Sequence, residues 1–282
     1  MVYSYMRTGN RHLERQKPCE DSVATTEFGN FSFLVLCDGC SSSKYSCESA
    51  HRMSLHLATF MRFPEVFIIN MPDTDNHGFA KYCSTEGNEE TFMRLLLREA
   101  NYESEALSYL FQCKRSDLCC TLIAALVEYH PDTDSNTAVV ITVGDGFVAA
   151  FNKNDKETNL VSFGENRNNN PNMTYFCTSE DAVEHAQVYR LTNVDSILLS
   201  SDGLTHVVNI RQLDELAGFL SGINEIVSEP STALDEAMDH LLSNYSCTRG
   251  RDLNDDCSMI FYSTEKQSAG RIAKNNKHKH RR

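Results

Sequence analysis

FSFLVLCDGC, residues 31–40, runs largely apolar as far as Cys37 and then breaks into Asp38-Gly39 between two cysteines. Two chemistries compete for it. As C-x-x-C it points to thiol redox work or a soft metal. As Asp-Gly at the end of a core strand it points to a carboxylate held out to a hard cation. The residues on either side decide between them.

Upstream, VATTEF (23–28) reads as a strand joined to 31–37 by Gly29-Asn30, residues that accept the positive φ of a tight hairpin turn. Downstream, residues 47–63 fit a helix, with Ala50, Met53, Leu57 and Met61 recurring at three and four. Residues 72–90 are polar and read as a loop, and 91–112 read as a second helix. Strands follow at 119–130 and 137–151, separated by the turn residues PDTDSN; Gly144-Asp145-Gly146 interrupts the second as a hairpin turn. GENRNNNPN (164–172) is loop-like, with short strands expected near 174–177 and 187–191. A buried strand at 196–201 runs into Asp202-Gly203. Helices are expected over 205–226 and 231–243, the latter capped by Ser231, before a last strand, CSMIFY. This order is not the βαβ alternation of a parallel sheet. It predicts antiparallel sheets with helices packed outside.

The chain has 282 residues, 41% hydrophobic and 23% charged, as expected of a soluble globular protein. No apolar run reaches the roughly 18–20 residues that span a bilayer, and the N-terminus has no apolar h-region. The expectation is a cytoplasmic protein with no membrane partner. Eleven cysteines, an odd number at irregular spacings and several inside apolar strands, point to a reducing compartment, not a disulfide framework. Of 26 Lys and Arg, seven lie in the last seventeen residues, leaving 19 against 39 acids in the rest. So acidic a body argues against nucleic acid as a partner. We expect one domain over 1–265 and a basic, disordered tail over 266–282.

Acids share one positional logic. Asp38, Asp202 and the pair Asp255-Asp256 each abut an apolar strand, and Glu20-Asp21 abuts SVATTEF. One Asp-Gly after a strand is ordinarily a turn. Four acid sites in this position repel one another unless a cation sits among them. Oxygen-only ligands select Mg²⁺ or Mn²⁺.

Seven segments in order, GNRHLERQKPCED, LVLCDGCSSS, CCTLIAALV, ITVGDGFVAAF, NMTYFCT, ILLSSDGL and NDDCSMIFY, resemble the metal-dependent (PPM-type) serine/threonine protein phosphatases, the protein phosphatase 2C-like superfamily, over about residues 8–263. The likeness is to its compact bacterial branch. It implies an α+β fold: a four-layer α-β-β-α sandwich, a central antiparallel β-sandwich flanked by helices. It implies two Mn²⁺ or Mg²⁺ ions, and in some members a third. Asp38 then matches the bridging ligand, Gly39 a carbonyl ligand, Asp202 and Asp255 the acids of one ion, and Glu20 and Asp21 those beside the other. Asp38, Asp202 and Asp255 are the catalytic set. Asp145 and His206 stand at third-ion positions, although many members carry Asp where His206 is. The family's phosphate-gripping arginine has no residue at its usual spacing; Arg15 and Arg11 are near, as is His12. The partner implied is a phosphorylated protein, the substrate of a cognate Ser/Thr kinase. The stretch matching the family's substrate flap, 152–173, is short and Asn-rich.

The rivals are weaker. Thiol oxidoreductases place C-x-x-C at a helix N-terminus, whereas Cys37 lies inside a strand run. A zinc site from Cys113, Cys119 and Cys120 fails because adjacent strand residues point to opposite faces. A phosphatase fold that only binds phosphorylated partners is the remaining alternative.

Overall fold

The computed structural model describes residues 1–64, 75–152, 157–163, 174–228 and 233–264. The tail 266–282, the loop 164–172 and Ser231 lie outside them.

Among the described residues ten strands form two antiparallel sheets. One holds β2 (Asp21–Phe28), β3 (Phe31–Asp38), β4 (Leu122–His130), β5 (Ser135–Val143) and β8 (Gln187–Thr192), in the order β2-β3-β4-β5-β8. The other holds β1 (Val2–Arg7), β6 (Phe147–Asn152), β7 (Glu157–Phe163), β9 (Ser196–Ser200) and β10 (Cys257–Ser263), in the order β1-β10-β9-β6-β7. Alternation along each strand makes three apolar layers. Leu34, Leu36, Ile123, Ala125, Val140, Val148, Leu199 and Ile260 fill the space between the sheets. Phe33, Val35, Cys37 and Leu122, one residue out of phase, meet the first helical layer. That layer is α2 (Ser46–Arg62), α3 (Asn76–Ser84) and α4 (Glu89–Phe111), which follow the short α1 (Asn10–Glu14) in the chain. On the far side, Phe147, Leu198 and Phe261 meet α6 (Leu213–Ser228) and α7 (Leu234–Arg249), with the four-residue α5 (Ala182–His185) lying before β8. The α-β-β-α sandwich expected from the sequence is the observed architecture.

Some boundaries differ. Residues 76–84 are helix, not loop: Asp75 accepts a hydrogen bond from the Gly78 amide (2.8 Å), and Phe79, Ala80 and Cys83 are buried beneath a polar exterior. Residues 174–176 form no strand; the segment is tied in where the Cys177 amide reaches the Cys120 carbonyl (3.0 Å). The stretch expected as a helix from 205 opens as a 3-10 turn, Asp202–His206, and its helix starts at Leu213. The last helix starts at Leu234. Two strands were not anticipated, β1 and β7. Among the described residues no helix is long and apolar enough to cross a membrane. All eleven cysteines are free thiols.

Candidate active site

β3 carries its burial unbroken to Cys37, and Asp38 is the first residue to regain some surface. The Asp38 amide donates to Thr121 Oγ1 (3.2 Å), and its carbonyl accepts from the Thr121 amide (2.8 Å). The strand end is therefore fixed, and with it the direction of the carboxylate. Gly39 continues the pairing by donating to the Glu20 carbonyl (3.0 Å). A Cβ there would stand 2.7 Å from both the Glu20 and Ser46 carbonyl oxygens, so the position admits only glycine.

Asp21 faces Asp38 across the β2–β3 ladder. Its Oδ2 accepts from Ser201 Oγ (2.8 Å), and its buried Oδ1 has no partner. Ser201 in turn exchanges hydrogen bonds with Ser258: each backbone amide donates toward the other residue, to the Ser258 carbonyl and to Ser201 Oγ (both 3.0 Å). One serine thus stitches the ends of β9 and β10 to β2 in the opposite sheet.

The second sheet supplies the remaining acids. Asp202 opens the 3-10 turn after β9, Asp255 precedes β10, and Asp145 sits in the turn between β5 and β6. A Cβ on Gly203 would lie 1.8 Å from the Asp256 carbonyl oxygen; the two backbones touch because nothing intervenes.

These carboxylates sense one another. Burial, then the charges of Asp21, Asp202 and Asp145, push the Asp38 carboxyl well above the ordinary range, although part of the residue reaches solvent. Burial, then Asp145, Asp255 and Asp21, do the same to Asp202. Asp145 is raised by burial and by Asp255, against hydrogen bonds from its own backbone and Thr174. Burial lifts Asp21 to about 6, with Asp256 adding to the rise and the Ser201 hydrogen bond opposing it. Among the described residues no Lys or Arg pairs with Asp21, Asp38, Asp145, Asp202 or Asp255. The donor set is all oxygen, anionic and uncompensated, with an orphaned Oδ1 at its centre, which suits a hard divalent cation. The acids are gathered at one end of the sandwich without being closed on a point: among the described residues no three His, Cys, Asp or Glu side chains converge tightly enough to hold an ion.

Glu20 is buried beside this group. Lys17 Nζ donates to its Oε1 (3.2 Å), and His12 Nε2 stands 3.4 Å from its Oε2. His12 is itself buried, with Nδ1 against Asp256 Oδ2 (2.8 Å) and Ser41 Oγ at 3.4 Å from Nε2. Asp256 also accepts from the Gly9 amide (2.7 Å) and the Glu20 amide (2.5 Å). It is a clamp that fastens residues 9–20 to the start of β10, leaving Asp255 to face the other acids. Arg11 on α1 and Arg15, its C-cap, are exposed at the surface, and His206 ends the turn that Asp202 begins. A cavity of about 600 Å³ between α6 and α7, bounded by Gly222, Ala233 and Leu241 among others, includes none of Asp21, Asp38, Asp145, Asp202 and Asp255.

The sequence reading passed over Ser201, Lys17 and the clamping role of Asp256. The Ser-Ser-Asp-Gly run and the Asp-Asp doublet were the available signals, but which member of each pair faces the acids depends on strand register.

The family described as Protein phosphatase 2C matches residues 8–243. Among solved structures, a bacterial serine phosphatase is similar at 15% identity with a TM-score of 0.61, over 94% of this chain and 97% of that one. The serine/threonine phosphatase Stp1 of Staphylococcus aureus is similar at 14% identity and a TM-score of 0.56, over 93% and 94%. The serine/threonine phosphatase PstP/Ppp of Mycobacterium tuberculosis is similar at 12% identity and a TM-score of 0.56, over 93% and 97%. No curated protein sequence matches.

Proposed function

The chain belongs to the protein phosphatase 2C family, and on that premise we propose that it is a metal-dependent phosphatase of phosphoserine and phosphothreonine in proteins. The observation that carries the reading is the gathering of Asp21, Asp38, Asp145, Asp202 and Asp255 from both sheets at one end of the sandwich, with no Lys or Arg paired to them among the described residues. Such a group is stable only when divalent ions balance it or protons do.

Asp38 would be shared between two Mn²⁺ or Mg²⁺ ions. The Gly39 carbonyl, Glu20 and Asp21 would serve one, Asp202 and Asp255 the other. Asp145 and His206 would offer a weaker third place. When bound, the ions supply an acidified water and positive charge for the phosphoryl oxygens. The protein's own part is positional. Thr121 fixes the backbone of Asp38, Ser201 fixes one oxygen of Asp21, and the Gly203–Asp256 contact fixes where Asp202 begins its turn. No cysteine is needed as nucleophile. Arg11 and Arg15, exposed on α1 and at its end, would meet the substrate's phosphate from solvent, while both ring nitrogens of His12 already face carboxylates. The eleven free thiols fit a cytoplasmic setting and a substrate phosphorylated there by a Ser/Thr kinase.

A second reading, a phosphatase fold that binds phosphorylated partners with little turnover, is favoured by the acids not closing on a point. One experiment separates the two: phosphate release from a phosphoserine peptide after chelation and after Mn²⁺ is restored. Turnover that vanishes with chelator and returns with Mn²⁺ supports the enzyme. Peptide binding without turnover in saturating Mn²⁺ supports the binding module.

A further inference from the structure

Five of the eleven cysteines crowd the end of β3. Their placement follows from register. Leu36 pairs with Ile123, and Gly39 bridges Cys120, so the ladder carries on past Asp38 without a slip. The Cys40 amide donates to the Cys119 carbonyl (2.9 Å), as the Thr121 amide does to Asp38 (2.8 Å). Cys40 therefore stands directly opposite Cys119, as Asp38 stands opposite Thr121. Because side chains alternate, Cys37 and Cys120 turn to the helical layer, where both are fully buried and Cys120 Sγ lies 3.7 Å from Cys177 Sγ. Cys40 and Cys119 take the other face, the face of Asp38, and both keep partial exposure.

We propose that Cys40 and Cys119 are a modification site: under hydroperoxide they close into a cross-strand disulfide beside Asp38, and reduction reopens it. Residues opposite one another at a hydrogen-bonded position of an antiparallel ladder have Cα atoms about 5.5 Å apart. Disulfides span about 4.4–6.8 Å between Cα atoms, a range that includes this separation. The chemistry balances. A thiolate sulfur attacks one peroxide oxygen, the O–O bond breaks, water leaves and a sulfenic acid remains. The second thiol attacks that sulfur, the S–O bond breaks, the S–S bond forms and a second water leaves. Two thiols and one hydrogen peroxide become one disulfide and two waters. A small dithiol reverses the reaction by exchange.

The expected consequence rests on the phosphatase reading above. Reduced Cys40 Sγ sits 3.1 Å from Ser42 Oγ, and neighbouring Ser41 reaches His12. Joining Cys40 to Cys119 would break the Cys40–Ser42 contact, disturb the loop that follows Asp38 and lower turnover.

The test uses the full reduced chain. It is treated with hydrogen peroxide, its remaining thiols are alkylated, and it is digested without reductant for mass spectrometry. The expected product joins the Cys40 peptide to the Cys119 peptide, lighter by two hydrogens, and disappears with dithiothreitol. Phosphate release falls with its formation and recovers with reductant, while Cys119→Ser keeps its rate in peroxide. A linked Cys120–Cys177 peptide instead, sulfinic acid on Cys40 with no link, or inactivation of Cys119→Ser as fast as the parent would overturn the proposal. Since the link is read by mass, a chain that never turned over would refute the phosphatase reading and leave this bond to be judged separately.

Discussion

Asp21 and Asp38 face one another in register at the end of the β2–β3 ladder, the first with an unpartnered oxygen and the second pushed well up its titration range by burial and by its acid neighbours. Two carboxylates so placed cost the fold free energy unless something positive or a proton joins them. That relationship sets how the metal-free protein should behave.

For Asp21 the folded value, about 6, lies above the unfolded value of 3.8. Between these limits the folded state binds more protons than the unfolded one, so stability falls as pH rises through the window. Asp38, Asp202 and Asp145 are shifted in the same direction and add to the fall. With chelator present, the melting temperature should be higher near pH 5 than near pH 7.5. About 3 kcal/mol is at stake for a shift of two units. Mn²⁺ should recover most of the loss at the higher pH. A chelated protein that melts at one temperature across the window would contradict this.

Replacing Asp38 with Asn removes one charge from the repelling set while keeping its shape. Asp38→Asn should melt higher than the parent in chelator at pH 7.5, and should gain less from Mn²⁺. Differential scanning fluorimetry with and without Mn²⁺ reads both effects.

Asp256→Ala leaves the Gly9 and Glu20 amides and His12 without their shared acceptor. Each buried donor left without its acceptor costs about 1–3 kcal/mol, so the urea midpoint should fall sharply. Asp256→Asn keeps an acceptor for one amide and should lose less. Equal, small losses would show that the clamp contributes little.

Gly203→Ala places a methyl group 1.8 Å from the Asp256 carbonyl oxygen. The turn carrying Asp202 must move away from β10. Overpacking of this kind costs about 1–3 kcal/mol. Thermal melts should show that loss, and phosphate release should drop further than stability alone explains, because Asp202 moves with the turn.

If Arg11 and Arg15 meet the substrate phosphate, removing both should raise KM and spare kcat. One hydrogen bond to a charged group is worth about 1.5–3 kcal/mol, roughly tenfold or more in KM. Steady-state kinetics on a phosphoserine peptide would measure the split, and unchanged KM would move the phosphate contact elsewhere.

The sandwich was legible because β3, β4 and β9 and the second half of β5 are buried apolar runs, and Asp38, Asp145 and Asp202 stand where β3, β5 and β9 stop. β1 was not legible. VYSYMR is a half-exposed edge strand, and what makes it a strand is pairing with β10, some 250 residues later. The helix at 76–84 hid in polar composition, since three buried apolar side chains, a buried Ser84 and an Asp75 cap are a faint signal. The Asp255-Asp256 doublet announced an acid near β10, and the family resemblance singled out Asp255, but nothing local announced that Asp256 would be buried as a clamp. That placement belongs to the backbone contact between Gly203 and Asp256, which no local pattern encodes. Ser201 escaped for the same reason: its partner Asp21 is 180 positions away.

The most direct measurement is phosphate release from a phosphoserine peptide in saturating Mn²⁺ by the parent chain and by Asp38→Asn, with folding of both checked by circular dichroism. The account predicts Mn²⁺-dependent turnover in the parent and a loss of about a hundredfold or more in the variant. Equal rates in the two folded proteins would contradict it.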